Sequence, residues 1–121
     1  MNSRTAHRED LATIREFFEQ REVASLKLPE GWFGRPYDNW HQLSDVEFDG
    51  PTLVITLDTS QILRIRTSDR VVVEGRTLRV PVADGTWNWT PYGDSGEKSR
   101  ISAIGAGTVE FHAPWGESPR S

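Results

Sequence analysis

Residues 53–65 read Leu53-Val54-Ile55-Thr56-Leu57-Asp58-Thr59-Ser60-Gln61-Ile62-Leu63-Arg64-Ile65, and their period decides the fold class. Leu53, Ile55 and Leu57 fall on one side of a strand, because successive side chains of extended backbone point to opposite faces. Asp58-Thr59-Ser60 supplies turn-forming side chains, and Ile62, Leu63 and Ile65 begin the next strand.

The same rhythm continues in both directions. Upstream, Val46 and Phe48 alternate with Asp45 and Glu47, and Asp49-Gly50-Pro51 marks a turn. Downstream, Thr67-Ser68-Asp69 separates a strand over 70–73, which Glu74-Gly75 closes as a tight hairpin. Leu78, Val80 and Val82 then alternate with Arg79 and Pro81, and the proline predicts an edge strand or a strand end. Asp84-Gly85 reads as a turn, followed by a strand over 86–92 with Trp87 and Trp89 on one face. The polar loop 93–98 leads to a last pair, 99–104 and 108–112, joined as a hairpin at Gly105-Ala106-Gly107. Seven to eight short strands about ten residues apart predict a mainly β fold: a small antiparallel β-barrel or roll.

One helix precedes the strands. Leu11, Ile14 and Phe18 stand at i, i+3 and i+7, with Phe17 widening the stripe, which predicts a helix over 6–21. Thr5 is its expected N-cap, with Glu9 and Asp10 in the first turn. Such a helix plugs an end or covers an open sheet edge. Ala24, Leu26 and Leu28 alternate as a short extended piece that Pro29 ends. Residues 113–121 read as a flexible tail.

The 121 residues fit a single domain, 1–121, large enough to bury a core without staples. Cysteine is absent, so neither disulfides nor thiolate chemistry is available. No stretch approaches the length of a membrane span, and Met1 to Asp10 holds no apolar core of the secretory type. The expectation is a soluble, cytoplasmic protein. A formal charge of −4 argues against a nucleic-acid partner. Arginine outnumbers lysine twelve to two, a bacterial-like bias of the kind GC-rich genomes produce. The stripe Arg64, Arg66 and Arg79 therefore reads as a solvated face, neutralised by Asp58, Asp69 and Glu74.

Chemistry concentrates in the aromatic loop 29–42, whose centre is Gly31-Trp32-Phe33-Gly34-Arg35-Pro36-Tyr37-Asp38-Asn39-Trp40-His41. Its rings suit the wall of a site, and Arg35, Asp38, Asn39 and His41 supply polar contacts. The ligand-binding set read from the sequence is Trp32, Arg35, Tyr37, Asn39, Trp40, Trp87, Trp89 and Tyr92. The same rings equally suit a structural cover, and Trp87 and Trp89 equally suit a core. Asp38 and His41, three apart, form a candidate acid–base dyad with Tyr37 or Tyr92 as proton donor. No nucleophile motif accompanies them. His7, His41 and His112 lack metal-ligand spacing, although His41 and His112 are free to meet beside Asp38 or Glu110. Neither metal nor cofactor is expected. The reading is a binding module for a small molecule or a partner protein, of open oligomeric state. Its rival is a cofactor-free enzyme of the isomerase, dehydratase or cyclase type.

Overall fold

The computed structural model describes residues 3–21, 23–29, 31–32, 41–59, 61–89 and 100–113. Helix α1 (Ser3–Arg21) is followed by nine strands: β1 (Ser25–Leu28), β2 (Gly31–Trp32), β3 (Leu43–Asp49), β4 (Thr52–Leu57), β5 (Gln61–Thr67), β6 (Val72–Glu74), β7 (Thr77–Trp89), β8 (Arg100–Ile104) and β9 (Gly107–His112). All pairings are antiparallel, in the order β2-β1-β9-β7-β5-β4-β3, with β6 and β8 also on β7. The fold is the mainly β roll that the period-two pattern predicts.

Registered partners share a face, so the alternation of each strand sums into layers. Val46, Ile55, Leu63 and Trp87 stand opposite one another across β3, β4, β5 and β7, and all four are buried. Leu26, Phe111 and Leu78 form a second buried row across β1, β9 and β7.

Strand β7 differs from the sequence reading. Thirteen residues run unbroken through Pro81 and Asp84-Gly85, where an edge and a turn were expected. Pro81 is tolerated in this central strand because of where its missing N–H would point. Its carbonyl accepts the Ser68 N–H at 3.1 Å, and the two polar groups of a strand residue face the same side. That side is the gap between the end of β5 and the start of β6. Gly85 is a site of close approach rather than a turn: a Cβ there would lie 2.3 Å from the Arg64 carbonyl oxygen.

The expected final hairpin is also absent. Strands β8 and β9 do not pair with each other, and both follow β7 in one continuous register, from Trp89↔Arg100 to Thr77↔His112. Residues 105–106 interrupt a single long strand. The hairpins at Gly50-Pro51 and Gly75-Arg76 do form, with Gly50 and Gly75 at φ 63° and 62°, as tight turns between twisted strands require.

The sheet curls until its ends meet at one point. Ala24 bridges His41, with Ala24 N–H to the His41 carbonyl at 3.0 Å and the reverse bond at 2.9 Å. Beyond that bridge β3 and β1 part, and the roll is not a closed barrel. Helix α1 runs beside β3 in the opposite direction. His7 stacks on Phe48 with ring centroids 3.8 Å apart, and Arg15 donates to the Val46 carbonyl at 3.1 Å. Phe18 meets Phe111 edge-on at 5.4 Å, so the helix spans from β3 to β9. Arg15 thus satisfies an edge carbonyl that no strand reaches among the described residues, which is the cover predicted for an open edge.

The helix begins two residues before the expected N-cap Thr5, so Glu9 and Asp10 lie beyond its first turn. Their role is tertiary instead. Asp10, 3 % exposed, accepts from Arg70 Nε at 3.0 Å and from the Val71 N–H at 3.2 Å, while Glu9 takes Arg70 Nη2 at 2.6 Å. These bonds fasten the helix start to the approach of β6. Among the described residues no helix is long and apolar enough to cross a membrane.

Candidate functional site

Segments 33–40 and 90–99 lie outside the described residues, between β2 and His41 and between β7 and β8. The anchoring of the first is informative. Its leading end is β2, where Trp32 faces Lys27 and Gly31 faces Leu28. Its trailing end is His41, opposite Ala24. Strand β9 occupies the other edge of β1, so both ends stand on the same edge, three residues apart or about 10 Å at strand rise. If β2 simply continued in its own register, residue 35 would face Ala24. His41 faces it instead, so the register along β1 shifts by six residues between the two anchors.

The trailing anchor is held from three directions. Its backbone makes the two bonds to Ala24. Its ring, 3 % exposed, lies on the inner face, with the Trp87 indole perpendicular at 6.5 Å. Its Nδ1 donates to Asp58 Oδ2 at 2.7 Å. A carboxylate can only accept, so the shared proton sits on Nδ1.

Asp58 lies in the turn from β4 to β5, and its carboxylate reaches further than the ring. Oδ1 accepts the Gln42 N–H at 2.9 Å, and the Asp58 N–H returns to the Gln42 carbonyl at 3.0 Å. Asp58 and Thr59 both take left-handed backbone, φ 53° and 62°. For a β-branched threonine this is unusual, and such residues cost of order 1–3 kcal/mol each. The Thr59 N–H to Ser44 Oγ bond, 2.7 Å, helps hold the conformation. The turn, the bridge and the His41 ring form one clamp.

Gln61 opens β5 beside this clamp, opposite Leu57. It shares the inner parity of Leu63 and Ile65, and its Oε1 is buried with no hydrogen-bond partner. The outer face carries a second such atom, Asn88 Oδ1, in a row with Ile62 and with Ile101, which is 70 % exposed.

The sequence-predicted residues are placed as follows. His41 is part of the clamp, and its carboxylate partner is Asp58, seventeen residues downstream. Asp38, Tyr37, Arg35, Asn39, Trp40 and Tyr92 lie outside the described residues, as do the side chains of Trp32 and Trp89. Trp87 is 1 % exposed and belongs to the core. His112 is on the outer face, bonded to Glu110 Oε1 at 2.8 Å, and so does not meet His41, which lies on the inner face. Among the described residues no group of three or more His, Asp or Glu is arranged to hold a metal ion.

Neutralisation of the arginine stripe is rearranged from the expectation. Glu74 does pair with Arg79, at 3.2 Å, but Asp58 is committed to His41, and Asp69 accepts the Arg70 N–H at 2.7 Å. Asp84 takes Arg66 in a two-pronged pair. The Arg66 hydrogen bonds hold the Asp84 carboxyl below the ordinary aspartate range, against a smaller opposing effect of burial. A depressed folded pKa gives stability that is present above the unfolded value and lost as pH falls through the folded one. Both side chains are exposed, so the stability at stake is small. NMR titration is expected to find the Asp84 midpoint low in the native chain and returned toward the ordinary range in Arg66→Gln.

A cleft of about 350 Å3 adjoins the clamp between α1 and the start of β3, lined by Arg15, Phe18, Glu19, Gln42 and Leu43. Comparison with protein-family models, curated proteins and solved structures finds no match.

Proposed function

We propose that the protein is a small binding module that engages a small molecule or a partner protein through the aromatic segment 32–41. The observation that carries this reading is the six-residue shift in register between Trp32 and His41. Six residues exceed what the ladder along β1 needs, and they come from the most aromatic stretch of the chain. Segments set on rigid supports are where binding groups concentrate, and both ends of this one are fixed to the same strand edge. Trp32, Tyr37 and Trp40 give apolar contact, Arg35 an anion contact, and Asp38 and Asn39 hydrogen bonds.

Native mass spectrometry of the purified chain tests this by looking for a retained molecule or protein. Trp40→Ala is expected to weaken the retained complex by about 2 kcal/mol or more, as loss of an aromatic anchor does. Deleting residues 34–39, the six that the register does not require, is expected to abolish binding while the roll keeps its cooperative unfolding. A deletion variant that unfolds would show the segment to be an internal plug and defeat the reading.

A cofactor-free proton-transfer enzyme is the second reading. The short His41–Asp58 bond favours it, with Asp58 in the orienting role first read for Asp38. It ranks behind the binding module because His41 is 3 % exposed and both its backbone and its ring serve the clamp.

A further inference from the structure

We propose that the cleft between α1 and the start of β3 binds a free α-amino acid with an apolar side chain, its carboxylate taken by Arg15 and its ammonium by Glu19. The site is separate from the aromatic segment and goes beyond the binding-module reading.

Arg15 and Glu19 stand four apart on α1, so they share one face of the helix a turn apart. That spacing suits an ion pair within the helix, yet none forms. Arg15 turns to the Val46 carbonyl at 3.1 Å, and among the described residues neither side chain has an ion-pair partner. The bond to Val46 holds the guanidinium against the strand and leaves it further N–H donors, whose planar fork suits a carboxylate. One helical turn sets Cβ atoms about 5–6 Å apart, a span that a carboxylate and an ammonium on one carbon can bridge.

Between the charges the cleft is apolar. Phe18, 5 % exposed, and the half-buried Leu43 line it. Gln42 stands beside them on a fixed backbone, its N–H given to Asp58 Oδ1 at 2.9 Å and its carbonyl accepting the Asp58 N–H at 3.0 Å. The volume of about 350 Å3 falls in the range of small-molecule sites, whose usual make-up is apolar wall with a few convergent polar groups. The charges choose the ligand. A simple anion would meet Glu19 and a simple cation would meet Arg15, each a contact of like sign. A zwitterion with an apolar body satisfies both groups and the floor between them. Both charges also reach solvent, so each contact is weak and the expected affinity is millimolar.

NMR titration of the full chain with L-leucine tests this, beside N-acetylleucine and leucinamide, which each lack one charge. Leucine is expected to shift the Phe18, Gln42 and Leu43 signals, and each analogue to bind about fivefold more weakly. Glu19→Gln changes an exposed position and is expected to leave the urea midpoint in place. It should weaken leucine about fivefold while N-acetylleucine binds no worse. No shift with leucine, or equal binding of all three probes, would overturn the proposal. Trp40→Ala is expected to leave leucine binding unchanged. A response lost in Trp40→Ala and kept in Glu19→Gln would assign the ligand to the aromatic segment, which overturns the cleft and leaves the binding module standing.

Discussion

His41→Ala is expected to lower the stability of the fold by about 3 kcal/mol, measured as a shift of the urea midpoint at unchanged slope. Two losses add. The first is the cavity left where the imidazole fills the inner face beside Trp87, since a close-packed interior relaxes only partly around a deleted ring. The second is the hydrogen bond to Asp58, whose carboxylate then faces a hole instead of a donor. The left-handed turn at Asp58 and Thr59 is supported by the same carboxylate, so its strain is less well opposed in the variant. Asp58→Ala should cost less, because the half-exposed carboxylate leaves no comparable void. The two substitutions should be non-additive by roughly 0.5–3 kcal/mol, as for any contacting pair. A cost below about 0.5 kcal/mol for His41→Ala would mean that the clamp does not hold the seam.

Gly85→Ala is expected to be as damaging, at about 3 kcal/mol, although it adds a single methyl group to a strand. The new carbon would sit 2.3 Å from the Arg64 carbonyl oxygen and 3.1 Å from the Ile65 Cα. Both obstacles are backbone, in the strand pair at the centre of the sheet, so no side chain can swing away. The β5–β7 ladder would have to open at the Ile65↔Gly85 pair, close to its register shift between Arg66 and Thr67. Gly105→Ala is the matched control. Nothing lies within 4 Å of a Cβ there, and its effect should stay within about 0.5 kcal/mol. Equal effects at the two glycines would refute the close-approach explanation.

These sites also show which parts of the architecture can be read from a sequence. The helix stripe at Leu11, Ile14, Phe17 and Phe18 and the inner faces of β4 and β5 were legible, because side-chain period reports directly which positions are buried. Turn chemistry was legible where a glycine must take positive φ, at Gly50 and Gly75. It misled at Gly85 and Gly105, because glycine also serves close approach and strand interruption, and composition does not separate these uses. The partnership of β7 with four strands was not legible, since alternation says which face is inward and nothing about neighbours. Asp58 was missed for a related reason. A turn aspartate seventeen residues from its histidine carries no local spacing signal, whereas Asp38, three residues away, carried a misleading one.

The register arithmetic along β1 has a consequence for how freely this protein can change. Since the ladder closes on either side of the six extra residues, their number is not dictated by the hydrogen bonds that flank them. Doubling a flexible connection adds only about 0.6 kcal/mol of closure entropy. As far as the flanking hydrogen bonds go, insertions and deletions between Trp32 and His41 are therefore cheap. In the proposed reading, a change of binding preference needs only this one segment to be recut, with the described strands and helix left as they are.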